Sequence, residues 1–463
     1  MRAPDIQAIT DLAGGSLDAS SGSITIAGVD PVFPARSPIG EVAAVALAEI
    51  GDAARDLSIQ AGGDPGRVST SVERGAQSII SFALTKVDGA SIPRTNQSNP
   101  FVRAYRCRDD RWIFLHGGFD NLVVKLADIL EVERSASFED VSTAVAGWDV
   151  QTLEDAIAAT GGCAARIRSE DEWLDHPHGR IVSGLDTVVV QPVGELIDGW
   201  EPSQRRPLTG LRVLDLTRVL AGPTCGRTLA ALGADVLQVT GPNTPHVPSF
   251  VIDTGQGKRR AHGDFNDAAD LAAVQQLAVS AHVVVQGYRP GVVNRYGLDV
   301  DTLRSKGFRG IYANVSAYGP IGPFAERAGW EQLAQAASGL AVLEGSGEGA
   351  SFKPALLPAA ACDYTTGYLL AGVITRQLGR GTAADIDASL CQTAALLLRA
   401  GQRRDPALAT GIGTPETESV VSGFGRVERL TPNVTVEGLD LTWRCGPMAL
   451  GSSLLTWKGW SNW

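Results

Sequence analysis

The feature that most constrains the fold of this chain is an alternation of short apolar strands and helices after residue 209. LRVLDLT has the pattern of a strand, CGRTLAALGA of a helix and DVLQVT of a second strand. The later strands HVVVQGY and GIYANVSAYG each follow a helical stretch. Strands that alternate with helices are typical of a parallel, doubly wound sheet. The predicted fold class is therefore α/β, a Rossmann-like sheet domain accompanied by a smaller α+β domain.

The remaining segments differ in texture from the sheet domain. Apolar periodicity in IGEVAAVALAEIGDAARDL predicts a helix, and the alternation in RVSTSVE predicts a short strand. NPFVRAYRCRDDRWIFLHGG predicts a β-hairpin that turns at Asp109-Asp110. The predicted units are a flexible arm (1–30), a partial repeat (31–97), a smaller α+β domain (98–195), a linker (196–208), a large sheet domain (209–400) and a C-terminal extension with several tryptophans (401–463).

Composition and charge exclude several classes of function. The net charge of −11 over 463 residues argues against non-specific nucleic-acid binding. No apolar run is long enough to span a membrane, and the first residues lack the apolar core of a leader peptide. Six scattered cysteines without CxxC spacing indicate reduced thiols and a cytoplasmic protein. The pair His176 and His178 has no third ligand nearby, so we expect no metal.

Five segments of the sheet domain, in order, resemble the N-terminal half of the family III CoA-transferases, the CaiB/BaiF group. They are PLTGLRVLDLTRVLAGPTCGRTLAALGADVLQV, GKRR, VVVQGYRPGVVNRYGLD, NVSAYGPIGPFAERAGWEQLAQAASGL and ACDYTTGYLLAG. Residues 98–180 resemble the family's C-terminal half, which here comes first. The resemblance implies a family III CoA-transferase-like fold in a permuted or partly duplicated member, with coenzyme A as co-substrate.

Asp363 is the candidate catalytic residue. By position it is either a helix N-cap or a reactive carboxylate at the start of an apolar helix. The resemblance implies the second role, because the family's catalytic aspartate lies at this corner. The segment 361–398 is echoed by 37–80, which suggests a duplication, and the echo aligns Ile39 with Asp363. Only one copy is therefore expected to carry the nucleophile.

The resemblance also implies a set of residues that bind CoA. The loop after the first strand is expected to approach the pantetheine or nucleotide through its backbone, because ligands of open α/β sheets bind at that edge. Leu220 replaces the glutamine of formyl-transferring relatives, so formyl transfer is not expected. Guanidinium groups suit phosphate, and a tyrosine ring suits stacking against adenine. The expected CoA-binding residues are Val219, Leu220, Ala221, Lys258, Arg259, Gly287, Tyr288 and Arg295.

The substrate pocket is expected to include Gly319, Trp330, Glu331 and Tyr364. Racemising relatives carry a His-Asp pair where this chain has Trp330-Glu331, and tryptophan cannot carry a proton. The leading hypothesis is transfer of CoA from an acyl-CoA to a carboxylic acid, through an aspartyl anhydride and an aspartyl-CoA thioester. The alternatives are a racemase-like or other acyl-CoA enzyme and a non-catalytic CoA-binding paralogue. A homodimer is expected, either interlocked as in relatives or with both halves supplied by one chain.

Overall fold

The N-terminal unit is built around one long buried helix. In the computed structural model of the chain, which describes residues 6–15, 17, 22–93, 98–401 and 404–458, two parallel strands are joined through this helix. The elements are α1 (Ile6–Ala13), β1 (Ile24–Ala27), α2 (Ile39–Gln60), β2 (Val68–Ser71), α3 (Val72–Ser78), α4 (Ser81–Leu84), β3 (Lys86–Val87) and β4 (Ala90–Ser91).

A flexible arm over residues 1–30 is wrong for the part that the structure describes. The helix α1 buries Ile9 and Ala13 in the main core, and Leu17 is buried with them. The strand β1 pairs with β2 over four residues. The sequence prediction missed α1 because the Gly, Ser and Asp residues around ITDLA obscure its short apolar pattern. Residues 1–5, 16 and 18–21 of the predicted arm lie outside the described ones.

The smaller domain begins with the predicted hairpin, which is confirmed. Its two strands pair antiparallel, from Val102 opposite His116 to Arg106 opposite Trp112. A third strand and a set of short helices complete the domain around its own core. The elements are β5 (Val102–Arg106), β6 (Trp112–His116), α5 (Asp120–Leu130), α6 (Phe138–Ala146), α7 (Val150–Ala159), β7 (Ala164–Arg166), α8 (Glu170–Asp175) and α9 (Pro177–Ser183).

The large domain contains a seven-stranded sheet with helices on both faces. Its central strands consist largely of Val, Leu and Ala and are buried on both sides, as expected of parallel strands. The elements are β8 (Val188–Glu195), β9 (Arg212–Leu216), α10 (Ala221–Ala231), β10 (Asp235–Thr240), α11 (Pro248–Thr254), β11 (Lys258–His262), α12 (Ala268–Val279), β12 (Val283–Gln286), α13 (Val292–Arg295), α14 (Val300–Ser305), β13 (Ile311–Ser316), α15 (Glu331–Ser338), α16 (Leu340–Leu343), α17 (Ala361–Gly379), β14 (Thr382–Ser389) and α18 (Leu390–Arg399).

The strand order of this sheet confirms the predicted α/β class. The order is β11-β10-β9-β12-β13-β14-β8, in which only β8 is antiparallel to its neighbour. Numbered from β9, the six parallel strands follow the order 3-2-1-4-5-6 of dinucleotide-binding folds. The order reverses between β9 and β12. Ligands of such sheets bind beyond the carboxyl ends of the strands at this point.

The C-terminal segment joins the N-terminal unit to the sheet domain. Its strands are β15 (Thr417–Ser422), β16 (Gly425–Leu430) and β17 (Thr435–Val436). The strand β17 pairs with β2, and β16 pairs with β3. Trp443 is buried, and its indole N–H donates to the Arg227 carbonyl in α10 at 2.9 Å. Trp460 and Trp463 lie outside the described residues.

The echo between 37–80 and 361–398 has a structural counterpart. In both segments a long helix is followed by a strand and a second helix, giving α2-β2-α3 and α17-β14-α18, and each strand is parallel to an earlier one, β1 or β13. In both, a serine at the end of the strand caps the next helix: Ser71 accepts from the Arg74 N–H and Ser389 from the Gln392 N–H. The two long helices pack against each other. No helix of the described residues is long and apolar enough to cross a membrane.

Candidate active site

Asp363 lies in the first turn of α17, where the helix N-terminus faces the sheet edge. The N-cap is Ala360, so Asp363 is the third helical residue and not the cap. The backbone N–H of Ala221, the first residue of α10, donates to its carboxylate. Two helix N-termini thus converge on one side chain that is only 9% exposed. Their partial positive charge favours a carboxylate at this point.

Glu331 forms a buried pair with Asp363. It is the first residue of α15, and its carboxyl group bonds the Asp363 side chain. It also accepts from the Cys362 N–H at 2.9 Å and from the Gln335 amide at 3.0 Å. A third helix N-terminus therefore points at the same place. The sequence predicted Glu331 as a pocket residue, and the structure brings it into contact with the candidate nucleophile.

The two carboxyl groups perturb each other's ionisation. Burial raises the pKa of Asp363 to about 7, while hydrogen bonds from Glu331 and from the Ala221 N–H oppose the rise. Burial, and then the charge of Asp363, raise the pKa of Glu331 well above its usual range. Two carboxyl groups in one site retain a shared proton to higher pH. Near neutral pH Glu331 holds this proton and Asp363 is the group that ionises.

A cavity of about 330 Å³ opens beside this pair. Its walls come from the N-terminal unit, the smaller domain and the large domain, all within one chain. Of the predicted residues, Val219, Leu220, Trp330, Glu331 and Asp363 contact it. The other lining residues are Ile80, Phe82, Ala83, His116, Gly118, Phe119, Val247, Phe250, Gln332, Gln335, Leu356, Leu357, Pro358, Ala359 and Ala360.

Two predicted pocket residues do not reach this cavity. The Tyr364 hydroxyl donates to Asp253 at 2.7 Å, because Tyr364 lies one helical step from Asp363 and points to another face of α17. Gly319 occupies a turn after β13 with φ of +109°, a conformation that glycine adopts without strain. Its N–H donates to the Ser316 hydroxyl at 3.0 Å. Neither Tyr364 nor Gly319 is among the residues that line this cavity.

The sequence prediction missed the contribution of the smaller domain. His116 ends β6, and its ring stacks on Trp330 with centroids 4.6 Å apart. Burial lowers the pKa of His116 to about 4, so the imidazole is neutral. Phe119 packs edge-on against Trp330, with ring centroids 5.3 Å apart. The signal in the sequence was the polar HGGFD directly after a buried strand, where loops carry site residues.

The loop between β9 and α10 is strained at the cavity wall. Val219 has φ of +75°, which is rare for a β-branched residue. This turn presents the Ala221 N–H to Asp363 and directs Val219 and Leu220 into the cavity. Strained residues of this kind concentrate at functional sites.

Lys258 and Arg259 are not available to a ligand. The Lys258 ammonium is fully buried and donates to Asp215 and to the Pro223 carbonyl, both at 2.7 Å. Burial lowers its pKa to about 8. Arg259 makes two hydrogen bonds of 3.0 Å to Asp235. These cations neutralise strand carboxylates inside the sheet domain, which a single sequence does not distinguish from a phosphate site.

Other cations lie at the sheet edge. Gly287 and Tyr288 follow β12, and Arg295 is exposed at the end of α13. Arg289 and Lys125, from the two domains, both donate to the Gly161 carbonyl, at 2.9 and 3.1 Å. Arg218 lies over the Phe119 ring at 5.0 Å. Within the described part of the chain, none of Lys125, Arg218, Arg289 and Arg295 has a carboxylate within 4 Å.

The histidine pair has structural contacts. Nε2 of His178 bonds the Tyr318 carbonyl at 2.9 Å, and its Nδ1 accepts from the Phe324 N–H at 3.1 Å. His176 accepts from the His178 N–H at the start of α9. Over the residues that the structure describes, no group of three or more His, Cys, Asp or Glu side chains has the arrangement of a metal site.

The comparisons with known proteins identify the segment that carries this site. The family model for CoA-transferase family III matches residues 208–412. An acyl-CoA transferase of Gibberella moniliformis is 32% identical over 281 residues, covering 56% of this chain and 49% of that protein. A succinate–glutarate CoA-transferase of Agrobacterium fabrum is 33% identical over 184 residues, covering 36% and 45%.

A third relative is similar over a comparable share of the chain. The beta subunit of a succinyl-CoA–L-malate CoA-transferase of Chloroflexus aurantiacus is 31% identical over 205 residues, covering 40% of this chain and 50% of that protein. The chain spans about half the length of the curated relatives that it matches. The resemblance predicted from the sequence is confirmed, in that residues 208–412 of this chain match the model of CoA-transferase family III.

Proposed function

We propose that the protein is a CoA-transferase that moves CoA from an acyl-CoA to a carboxylic acid, with Asp363 as nucleophile. The observation that carries this proposal is the buried Asp363–Glu331 pair, at the meeting point of three helix N-termini and on the wall of a cavity of about 330 Å³. With a pKa of about 7, Asp363 is about half ionised at neutral pH, and it is largely shielded from water, which suits covalent catalysis on a thioester.

The first half-reaction forms a thioester on the enzyme. A carboxylate oxygen of Asp363 attacks the thioester carbonyl carbon, and the C–S bond breaks as the CoA thiolate leaves with its electron pair. The thiolate then attacks the aspartyl carbonyl carbon of the mixed anhydride. The acyl group departs as a free carboxylate, and Asp363 retains CoA as a thioester.

The second half-reaction reverses these steps with a new acid. The acceptor carboxylate attacks the aspartyl thioester and expels the thiolate, which then attacks the acceptor carbonyl. The products are the acceptor CoA thioester and the regenerated Asp363 carboxylate, so no net proton or electron is consumed. The protonated Glu331 and the Ala221 N–H, which both bond the Asp363 carboxylate, are the proposed donors for the oxyanions formed at Asp363.

The sheet edge is the proposed binding site for CoA. Arg295, Arg289, Arg218 and Lys125 supply positive charge without a carboxylate partner, in a protein of net charge −11. Phosphate groups suit such guanidinium clusters. The ring of Tyr288 and the backbone at Gly287 are proposed to face the adenine. The Val219–Ala221 loop is proposed to guide the pantetheine towards Asp363.

We propose a homodimer in which each chain holds one complete site. The cavity walls support this arrangement, because Phe82, His116 and Trp330 come from three units of the same chain.

The proposed compartment is the cytoplasm, where CoA thioesters are available. The thiols of all six cysteines are free, in agreement with a reducing setting.

The experiment for this proposal is a transfer assay with a labelled acceptor. The protein is incubated with a panel of acyl-CoAs and ¹³C-labelled carboxylic acids, and labelled acyl-CoA is measured by mass spectrometry. We expect transfer by the unaltered chain and a loss of at least about 1,000-fold in Asp363→Asn, because the nucleophile is removed. Equal rates for both proteins would contradict the proposal.

A second candidate function is exchange of the α-proton of an acyl-CoA. His116 is a neutral base on the cavity wall, beside the Trp330 that replaces the proton-carrying histidine of racemising relatives. This candidate predicts incorporation of deuterium at the α-carbon when the same acyl-CoAs are incubated in D₂O. Exchange that survives Asp363→Asn and disappears in His116→Phe would favour it over CoA transfer.

A further inference from the structure

The cavity beside Asp363 is lined mainly by apolar side chains, and none of the described lining residues carries a fixed positive charge. Four aromatic rings face it, from Phe82, Phe119, Phe250 and Trp330. The remaining wall is mostly Ile, Val, Leu, Ala and Pro, and its ionisable carboxyl groups are those of Asp363 and Glu331. Among the described residues that line it, none is a lysine or an arginine. Apart from the helix N-termini at Asp363, the ionisable groups on the wall are therefore carboxyl groups and one imidazole.

The polar side chains on the wall do not supply a cation either. The pKa of His116 is lowered to about 4 by burial, so its ring is uncharged at working pH. The Gln335 amide is already bonded to Glu331 and to the Leu357 N–H. The guanidinium of Arg218 lies over the Phe119 ring, 5.0 Å from its centroid, and is not among the residues that line the cavity. It lines a different, smaller pocket.

These surroundings are unfavourable for an acyl group that carries a second carboxylate. A carboxylate moved from water into an apolar cavity without a cation loses its hydration and gains no partner. Here it would also lie close to the charge of Asp363. Relatives named for succinate, glutarate and L-malate act on dicarboxylic acids. Their substrates do not fit the chemistry of this cavity.

The size and shape of the cavity favour a larger apolar group. A cavity of about 150 Å³ lined by Leu, Ile and Phe is enough to hold benzene. The present cavity is about twice as large, at about 330 Å³, and has aromatic rings on several sides. It has room for a ring with a short chain or for an aliphatic chain of about eight carbons.

We propose that the acyl group which this protein carries is an uncharged apolar one, medium-chain or aryl-alkyl, and that dicarboxylic acyl groups are rejected. This inference rests on the proposed function, because it assumes that the acyl group occupies the cavity next to Asp363. The selectivity comes from burial without a counter-charge. It is therefore a property of binding that is measurable without turnover.

Calorimetry on the Asp363→Asn protein measures this selectivity in the absence of reaction. The probes are octanoyl-CoA, 3-phenylpropionyl-CoA, glutaryl-CoA and free CoA. Because each buried methylene strengthens binding about fourfold, we expect octanoyl-CoA to bind at least about 100-fold more tightly than CoA. Glutaryl-CoA should bind no more tightly than CoA. Tighter binding of glutaryl-CoA than of octanoyl-CoA would overturn the inference.

A cation introduced into the wall gives a reciprocal test. Leu356 is half-buried at the cavity, so an arginine side chain there has a path to solvent. We expect Leu356→Arg, in the Asp363→Asn background, to strengthen glutaryl-CoA binding at least about tenfold and to weaken octanoyl-CoA binding. The matched control is Leu408→Arg, which adds the same charge at a site that is 65% exposed. Equal effects of both arginines would contradict a role for the cavity.

The two proposals fail in different ways. If the transfer assay detects succinyl-CoA or glutaryl-CoA as the best donor, the protein is a CoA-transferase and the acyl inference is wrong. If octanoyl-CoA binds tightly but no donor supports transfer, the cavity has the proposed selectivity and the transferase assignment is wrong.

Discussion

The carboxyl group of Glu331 is buried next to a second carboxyl group, that of Asp363. Both conditions oppose the ionisation of Glu331. Its pKa is raised in the folded chain, so the folded state binds more protons than the unfolded state between the two pKa values. The stability from this group is present at low pH and is lost as pH rises through the folded pKa. At pH 8 we expect the free energy of unfolding of Glu331→Gln to exceed that of the unaltered chain by about 1–2 kcal/mol.

The measurement for this prediction is urea unfolding at pH 5 and pH 8. The two proteins should differ less at pH 5, where Glu331 is protonated in the native state. Glu139→Gln is the control, because Glu139 is exposed in the first turn of α6. A difference between Glu331→Gln and the unaltered chain that does not change with pH would contradict the shared-proton pair.

Removal of Arg295 and removal of Lys258 are expected to affect different properties, ligand binding and stability. Arg295 is exposed and has no carboxylate partner in the described part of the chain, whereas Lys258 is fully buried against Asp215. We expect Arg295→Ala to weaken CoA binding about tenfold without lowering the melting temperature. Lys258→Ala should instead cost about 3–5 kcal/mol of stability, because it leaves Asp215 buried without its partner.

Calorimetry with CoA and thermal unfolding measure these two effects. Arg67→Ala, which removes an exposed cation from the N-terminal unit, is the control and should change neither. If Lys258→Ala folds normally and weakens only CoA binding, the structural role of the Lys258–Asp215 pair is wrong.

At the scale of elements, the contact between α17 and α10 sets the position of Asp363. A Cβ on Gly367 would meet the Ala221 carbonyl oxygen and lie 2.8 Å from the Thr224 Cβ, so glycine allows the two helices to approach. We expect Gly367→Ala to separate them, to cost about 1–3 kcal/mol of stability and to reduce transfer at least about tenfold, because the Ala221 N–H moves away from Asp363.

Gly372, one turn further along α17, is the matched control. An added Cβ there lies 3.7 Å from Ile50, an ordinary contact. Since alanine is the better helix former, Gly372→Ala should leave transfer unchanged and stabilise the chain by about 0.5–1 kcal/mol. Similar effects of the two substitutions on transfer and on melting temperature would contradict the role given to the α10–α17 contact.

The elements were predicted from sequence more completely than the contacts between them. Apolar periodicity predicted the parallel strands, the hairpin and the long helix α2, since these depend on local pattern. The Asp363–Glu331 pair joins residues 32 positions apart, and the burial of Lys258 depends on a strand 43 positions away, so neither follows from local pattern. His116 reaches the cavity wall only because the smaller domain packs against the large domain, and local sequence pattern does not predict such packing.

In the whole molecule, two similar helix-strand-helix units occur, α2-β2-α3 and α17-β14-α18, of which one carries the candidate site. The sequence echo aligned Ile39 with Asp363, but counting from the N-caps Pro38 and Ala360 places Glu41 at the equivalent third helical position. Glu41 is buried and paired with Arg404, and its N–H donates to Asp30 at 2.8 Å. The N-terminal unit thus retains a carboxylate at this position, held in an ion pair.

Trapping the covalent enzyme intermediate and locating it tests whether Asp363 is the nucleophile. The protein is incubated with acyl-CoA and hydroxylamine, and peptides are analysed by mass spectrometry for a hydroxamate. We predict one hydroxamate per chain, at Asp363, absent from Asp363→Asn and never found at Glu41. A hydroxamate at Glu41, or transfer that proceeds without any modification of Asp363, would contradict the account.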